Sequence, residues 1–333
     1  MLKYLAPALV CLLAAPGLLA APALAQGMSV KKLDPALDAV IAPNTKIEKV
    51  ATGFIFIEGP MWKDGKLWFS DVRMDKVRTY DPKTNKVTVV LNDSGGLKNA
   101  PPDGNFGSNG MVTDKDGSIL LTRMYVGTIE KMDDKGGLKP FLAKYEGKRF
   151  NSPNDLVFTA DGALWFTDPS FGLPKMDADP KKEIKYNAVW RYAGGKLTPV
   201  ITDMTQPNGI GFSPDGKTLY VSNSMPDMHI RAYDVSADGK LSNMKKLISF
   251  PGTASDVPDG LKVDSAGNIW ATGPGGVRII SPKGKVLGQI VIPETVANIG
   301  FAEDGKTVYL TGSTSLYRLK AKIAGEIPMY YRK

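Results

Sequence analysis

Six times along the chain, a short apolar stretch runs into a tight glycine turn and out into a second stretch rich in Leu, Trp, Tyr, Val and Thr. The copies are EGPMWKDGKLWFSD, NGMVTDKDGSILLTR, NDLVFTADGALWFTD, NGIGFSPDGKTLYVSN, DGLKVDSAGNIWATG and NIGFAEDGKTVYLTG. Their turn glycines are Gly65, Gly117, Gly162, Gly216, Gly267 and Gly305, at spacings of 52, 45, 54, 51 and 38. An Asp-Gly or Ala-Gly pair between two such runs is a hairpin signal. Further strands follow in the clearer copies, HIRAYDV and then LSNMKKLISF after the fourth turn, giving about four strands per period of roughly 50 residues. Each unit therefore reads as a propeller blade, which cannot bury both faces alone. The expectation is an all-β, six-bladed β-propeller forming a single domain over residues 26–333. The last unit runs out after SLYRLKA, three strands in, so an N-terminal strand near TKIEKVAT is expected to complete it and close the ring, removing exposed edges. Long 3.6-residue patterns and helix caps are missing, so little helix is expected.

Seven or eight residues before each turn glycine stands a side chain bearing a carbonyl or carboxylate oxygen: Glu58, Asn109, Asn154, Asn208, Asp259 and Asn298. The strand that each one precedes is apolar. In a propeller the first strand of each blade lines the central channel, so these six would face one another at one end of it. Two carboxylates and several amide oxygens, without sulfur or imidazole, suit a hard cation. Ca²⁺ fits better than Mg²⁺, and other divalent cations are alternatives. Asn and Asp before Gly are also ordinary turn formers, and a polar channel mouth can simply be wet. Six positions in one register, with acids at the first and fifth, weigh toward a site. Asn298, followed by Ile299 where four of the others have glycine, is its weakest member.

Counts of single residues exclude much other chemistry. His229 is the only histidine and Cys11 the only cysteine. Ser-His-Asp hydrolysis, multi-His zinc and His₂-carboxylate iron all lack partners. His229 lies in DMHIRAYDV, a strand pattern, and reads as structural. The net charge is +8, yet Lys and Arg are scattered, without the basic runs or aromatic interleaving that nucleic-acid binding would need. Residues 1–25 read as a signal peptide: Lys3, an apolar run from Leu5, and the small-residue ending Ala23-Leu24-Ala25. Pro7, Pro16 and Pro22 interrupt that run as a membrane anchor, and Val10 before Cys11 argues against lipidation. The expectation is an exported protein, periplasmic or secreted, free of the membrane after cleavage and without cysteine when mature. The sequence names no partner protein.

Taken together, IEGPMW with LWFSDV, RFNSPNDLVFTADGALWFTDPSFG, QPNGIGFSPDGKTLYVSNS and VPDGLKVDSAGNIWATGPGGV resemble the SMP-30/gluconolactonase/LRE family of six-bladed, calcium-dependent lactone hydrolases. The resemblance covers nearly all of the chain after residue 25. It implies Glu58, Asn208 and Asp259 as metal ligands, Asn154 as a metal or substrate residue, and Asn109 as a substrate-side residue. Two features depart from the family. An arginine that some animal members carry two positions before the third-motif asparagine is Ser152 here, and the histidines of the paraoxonase branch have no counterpart. The implied activity is gluconolactonase-like opening of a small lactone, the carbonyl polarised by Ca²⁺, with Asp259 as general base or nucleophile.

Rim loops are expected to select the substrate. NDSGGLKNAPPDGNFGS, within residues 92–108, is the candidate lid, its alternative being a plain crossover. DPSFGLPKMDADPKKEIKYN would supply a second wall through Phe171 and Met176, and TRMYVG would offer Arg123 and Tyr125 for polar contact. Two other classes stay open: an aryl-ester or organophosphate hydrolase on the same fold, and a non-catalytic ligand-binding propeller plugged by calcium.

Overall fold

The computed structural model describes residues 27–99, 103–133, 136–252 and 256–325. The expected signal peptide, residues 1–25, lies outside them. All six turn glycines take left-handed φ values, between +71° and +84°, which glycine adopts without a Cβ clash. The hairpins that they close are the cores of six antiparallel sheets, five of four strands and one of five, arranged as a six-bladed β-propeller.

The innermost strands are Ile57–Lys63, Ser108–Thr113, Leu156–Phe158, Pro207–Phe212, Leu261–Val263 and Val296–Ala302. Each packs against the next, and the last packs against the first. Apolar side chains fill the wedge between each pair of blades, in six clusters. The cluster of Ile57, Phe69 and Tyr80 with Tyr309 and Leu316 seals the sixth blade onto the first. Cysteine-free closure thus rests on burial of large apolar side chains, Trp165, Trp190 and Trp270 among them.

The sixth blade is completed from the N-terminal side. Glu48–Thr52 pairs antiparallel with Ser315–Lys320, Thr52 opposite Ser315 and Glu48 opposite Arg318, and Arg318 donates to Glu48 at 2.7 Å. The N-terminal segment does one thing that the repeat did not foretell. Ser29–Lys32 adds a fifth strand to the outer edge of the fifth blade, along Val286–Val291. A short 3₁₀ turn at Pro35–Ala39, its Ala36 N–H capped by the Asp34 carboxylate, then drops Leu37, Val40 and Ile41 into the wedge between the fifth and sixth blades. The new outer edge is only four residues long and carries Lys31 and Lys32, a short charged edge that disfavours pairing with other chains. Among the described residues, helix is limited to this turn and one at Met176–Ala178.

Candidate metal centre at the channel mouth

Each ring residue stands at or just before the start of an innermost strand, so the fold sets their side chains around one end of the axis. Two repeated features of the sequence hold the ring tight. The first is the glycine after four of the six. Gly110 N–H donates to Asn154 O at 2.9 Å, and Gly209 N–H to Asp259 O at 3.0 Å, each reaching the next blade's ring residue. A Cβ on Gly209 would lie 2.5 Å from both Asp259 O and Leu261 N, a clash with backbone that no rotamer relieves. Gly209→Ala should therefore destabilise the protein by about 1–3 kcal/mol, the usual range for overpacking. Urea unfolding measures this; stability equal to wild type would mean that the ring can widen freely.

The second feature is a buried hydroxyl five or six residues after each turn glycine: Ser70, Thr122, Thr167, Ser222, Thr272 and Thr311. Three reach across to the next blade's ring carbonyl, Ser70 Oγ to Asn109 O at 2.8 Å, Thr122 Oγ1 to Asn154 O at 2.9 Å and Ser222 Oγ to Asp259 O at 2.7 Å. Two others accept from a ring N–H in their own blade, Thr272 from Asp259 and Thr311 from Asn298, both at 2.9 Å. Thr167 accepts from Asp155 N–H at 3.1 Å. Sequence reasoning missed these hydroxyls, although their fixed distance from the turn glycine was visible in the six aligned copies.

Glu58 and Asp259 come within hydrogen-bonding reach of each other, and Asn208 stands beside Asp259. Glu58 is buried; Asp259 keeps some contact with solvent at the mouth. Burial, and then the facing carboxylate, push Asp259 well above the usual carboxylate range. Burial also raises Glu58, to about 7, against the hydrogen bonds from Asn298 and Gly59 that favour its charge. Two carboxylates in contact in a buried site hold a proton between them unless a cation neutralises them.

The ring oxygens themselves test whether a cation suits. Glu58 Oε1, Asn109 Oδ1 and Asn208 Oδ1 are buried and receive no N–H or O–H from a fixed donor, the facing Asp259 carboxyl supplying one to Glu58 only when protonated. Buried acceptors are normally paired, and three unpaired ones within one ring are an oxygen-rich donor set of the kind that Ca²⁺ takes. The amide nitrogens of Asn208, Asn109 and Asn298 are committed. Asn208 Nδ2 donates to Ser224 Oγ at 3.0 Å and Asn109 Nδ2 points to Met124 Sδ at 3.5 Å. Asn154, buried, is presented by a loop whose Asn151 and Ser152 N–H groups donate to the Asp168 carboxylate at 3.0 and 2.6 Å. Asn298 turns its amide nitrogen toward Glu58 Oε2, 2.9 Å away. Among the described residues, no three His, Cys, Asp or Glu side chains gather as a metal cluster. This ring has two acids and relies on amides for the rest.

Two channel residues escaped the sequence reading. Asp155, buried next to Asn154, forms an ion pair with Lys262 at 3.2 Å, and its charge also raises Glu58 and Asp259. A lysine inside a channel-lining strand was the available signal.

The rim residues bond to partners outside the ring. Arg123 is engaged on all sides: Nε donates to Ser94 O at 2.7 Å, Nη2 to Asp93 O at 3.0 Å, and Nη1 to both Glu130 oxygens at 2.9 Å. It anchors the start of the 92–108 loop. Ser94 and Gly95 bind Asp75, and Asn105 accepts from Arg73, so the described ends of that loop are pinned; its residues 100–102 lie outside the described residues. Tyr125 lies where the two rim loops meet. Phe106 packs edge-on against its ring, and Lys181 donates to its hydroxyl at 2.6 Å. Phe171 is partly exposed, beside Gly172, whose N–H donates to Ser152 Oγ at 2.7 Å. His229 is buried in the fourth blade, its Nδ1 on Asp227 O and 3.3 Å from the Asp227 carboxylate, and its Nε2 accepting from Arg231.

Residues 56–314 match the family model described as SMP-30/Gluconolactonase/LRE-like region. The chain belongs to this family. Among relatives in the SMP-30/gluconolactonase/LRE-like family, a gluconolactonase of Zymomonas mobilis is 36% identical over 312 residues, covering 89% of this chain and 87% of that one. A pentonolactonase of Haloferax volcanii is 27% identical over 266 residues, covering 76% and 80%. Among solved structures, a gluconolactonase of Xanthomonas campestris superposes with a TM-score of 0.76 at 28% identity, covering 88% of this chain and 94% of that one.

Proposed function

We propose that this protein is a divalent-metal-dependent lactonase, Ca²⁺ being the cation of first choice, that opens a sugar lactone at the channel mouth. The observation that carries the reading is the contact of Glu58 with Asp259 beside three unpaired ring oxygens. Support for the substrate class comes from relatives named as gluconolactonase and pentonolactonase, which span most of the chain. Glu58, Asn154, Asn208 and Asp259 would hold the cation, and Asn109, with its free carbonyl oxygen, would meet a substrate hydroxyl. When bound, the cation supplies Lewis-acid polarisation of the lactone carbonyl.

The chain's own groups do the rest. Asp259, which keeps some contact with solvent at the mouth, would hold the attacking water and take its proton as oxygen adds to the carbonyl carbon. The ring C–O bond then breaks, and the same proton passes to the departing oxygen, leaving a hydroxy acid. The rim, with Tyr125, Phe171 and the Arg123-anchored start of the 92–108 loop, would bound the space above. Residues 1–25 would direct export, so the work would be done outside the cytoplasm.

Acid release from δ-gluconolactone and a panel of γ- and δ-lactones, followed with and without a chelator, tests the function. Turnover that stops on chelation and returns with Ca²⁺ is expected. A protein that is stabilised by Ca²⁺ but turns over no member of the panel would be a ligand-binding propeller, and faster turnover of aryl esters would move the substrate class.

A further inference from the structure

Below the ring, the Lys262 ammonium has three donors and meets three acceptors: Leu261 O at 3.0 Å, Asp155 Oδ2 at 3.2 Å and Asn298 Oδ1 at 3.3 Å. None is left for a ligand. The third contact matters for the ring, because it decides which way the Asn298 amide points. Asn298 Oδ1 also accepts from Ile299 N–H at 2.8 Å, so two donors converge on it. A flipped amide would set its NH₂ against both. With the oxygen held down, Nδ2 is directed at Glu58 Oε2, which Gly59 N–H also binds at 2.7 Å. One Glu58 oxygen is thereby fixed by two donors, and the other, Oε1, is the unpaired one.

We infer that Lys262 is a positioning residue for the channel ring: its ammonium orients the Asn298 amide, which clamps Glu58 so that one carboxylate oxygen is presented to a cation. The inference rests on the reading that the ring takes a divalent ion. It also gives Asn298 a role different from its ring neighbours, that of a clamp on a ligand, its own oxygen being turned away to Lys262.

A simpler role competes with this one: Lys262 could only neutralise Asp155. Charge alone separates the two. Lys262→Met by itself would leave Asp155 as an extra anion near the ring and draw a cation in, masking lost geometry. Lys262→Met combined with Asp155→Asn keeps the wild-type net charge and leaves a side-chain oxygen to accept from Leu156 N–H, as Asp155 Oδ1 does at 2.9 Å. The lysine stem also borders a cavity of about 640 Å³ in the lower channel, walled by Met61, Phe158, Phe212 and Phe301, so an apolar methionine has room there.

The test is calorimetric titration of Ca²⁺ into chelator-stripped protein, with a crystal structure of the double variant. If Lys262 positions the clamp, the double variant binds Ca²⁺ about 10–100-fold more weakly, the usual effect of removing an outer partner of a metal ligand. Affinity within about threefold of wild type would overturn the proposal and leave charge neutralisation as the lysine's role. If wild type itself takes up no divalent ion, the metal-centre reading fails, and the crystal structure still decides here. An Asn298 amide still donating to Glu58 Oε2 without Lys262 refutes the positioning role; a rotated amide and a displaced Glu58 uphold it.

Discussion

Asp259→Asn should abolish lactone turnover and leave the protein folded. The substitution removes the proposed proton acceptor, whose loss typically costs between about 100-fold and 10,000-fold. It keeps the shape of the side chain and the backbone bonds through which Thr272, Ser222 and Gly209 hold residue 259 in the ring. Stability distinguishes this from general damage. In wild type without metal, Asp259 faces Glu58, and burial raises both carboxyls. Removing one of two facing acids relieves that pair, so the metal-free variant should melt at or above the wild-type temperature. Retention of most of the activity would refute the assignment; a large drop in melting temperature would show that the residue is structural.

Glu58→Gln should chiefly weaken cation binding, and it should change how binding depends on pH. In the metal-free protein burial pushes Glu58 up to about 7 from the usual 4.5, as one of a pair with Asp259. Between those values the folded protein holds a proton that the unfolded chain has lost. Glu58 therefore contributes stability to the metal-free protein that is fully present below 4.5 and lost as pH rises through about 7. Cation binding runs the other way, because the bound form needs the carboxylate. Ca²⁺ affinity should rise by up to about tenfold per pH unit below 7 for one displaced proton, and uptake should release protons. Titration calorimetry at pH 5.5, 6.5 and 7.5, in buffers of differing ionisation enthalpy, reads both. For Glu58→Gln, affinity should fall by at least about tenfold and the proton release should shrink. Unaltered Ca²⁺ binding would remove Glu58 from the ligand set.

Much of the fold is legible because a propeller repeats a local event. Each hairpin announces itself within 15 residues through a turn glycine and flanking apolar strands, and six such announcements give the blade number. The incomplete sixth copy gave the closing strand, since a blade with three strands leaves an edge open. The added strand Ser29–Lys32 had no such signal: four residues of mixed polarity gain their strand character only from the edge on which they lie. In the site, ring membership was legible because register with the turn glycine is a property of sequence. TRMYVG offers Arg123 and Tyr125 for polar contact, but the partners that engage them, Glu130, the Asp93-Ser94 backbone and Lys181, come from other strands and loops.

Alone, then, the sequence determined the number of blades, the manner of ring closure and which six polar residues stand at one end of the channel, because each of these follows from short-range spacing. Tertiary structure decided what those six side chains do. Glu58 and Asn298 meet across 240 residues, and Asp155 and Lys262 across 107, so no local pattern records them. Whether an amide offers its oxygen to a cation or its nitrogen to a neighbour depends on which donors surround it, and those donors come together only when the ring closes.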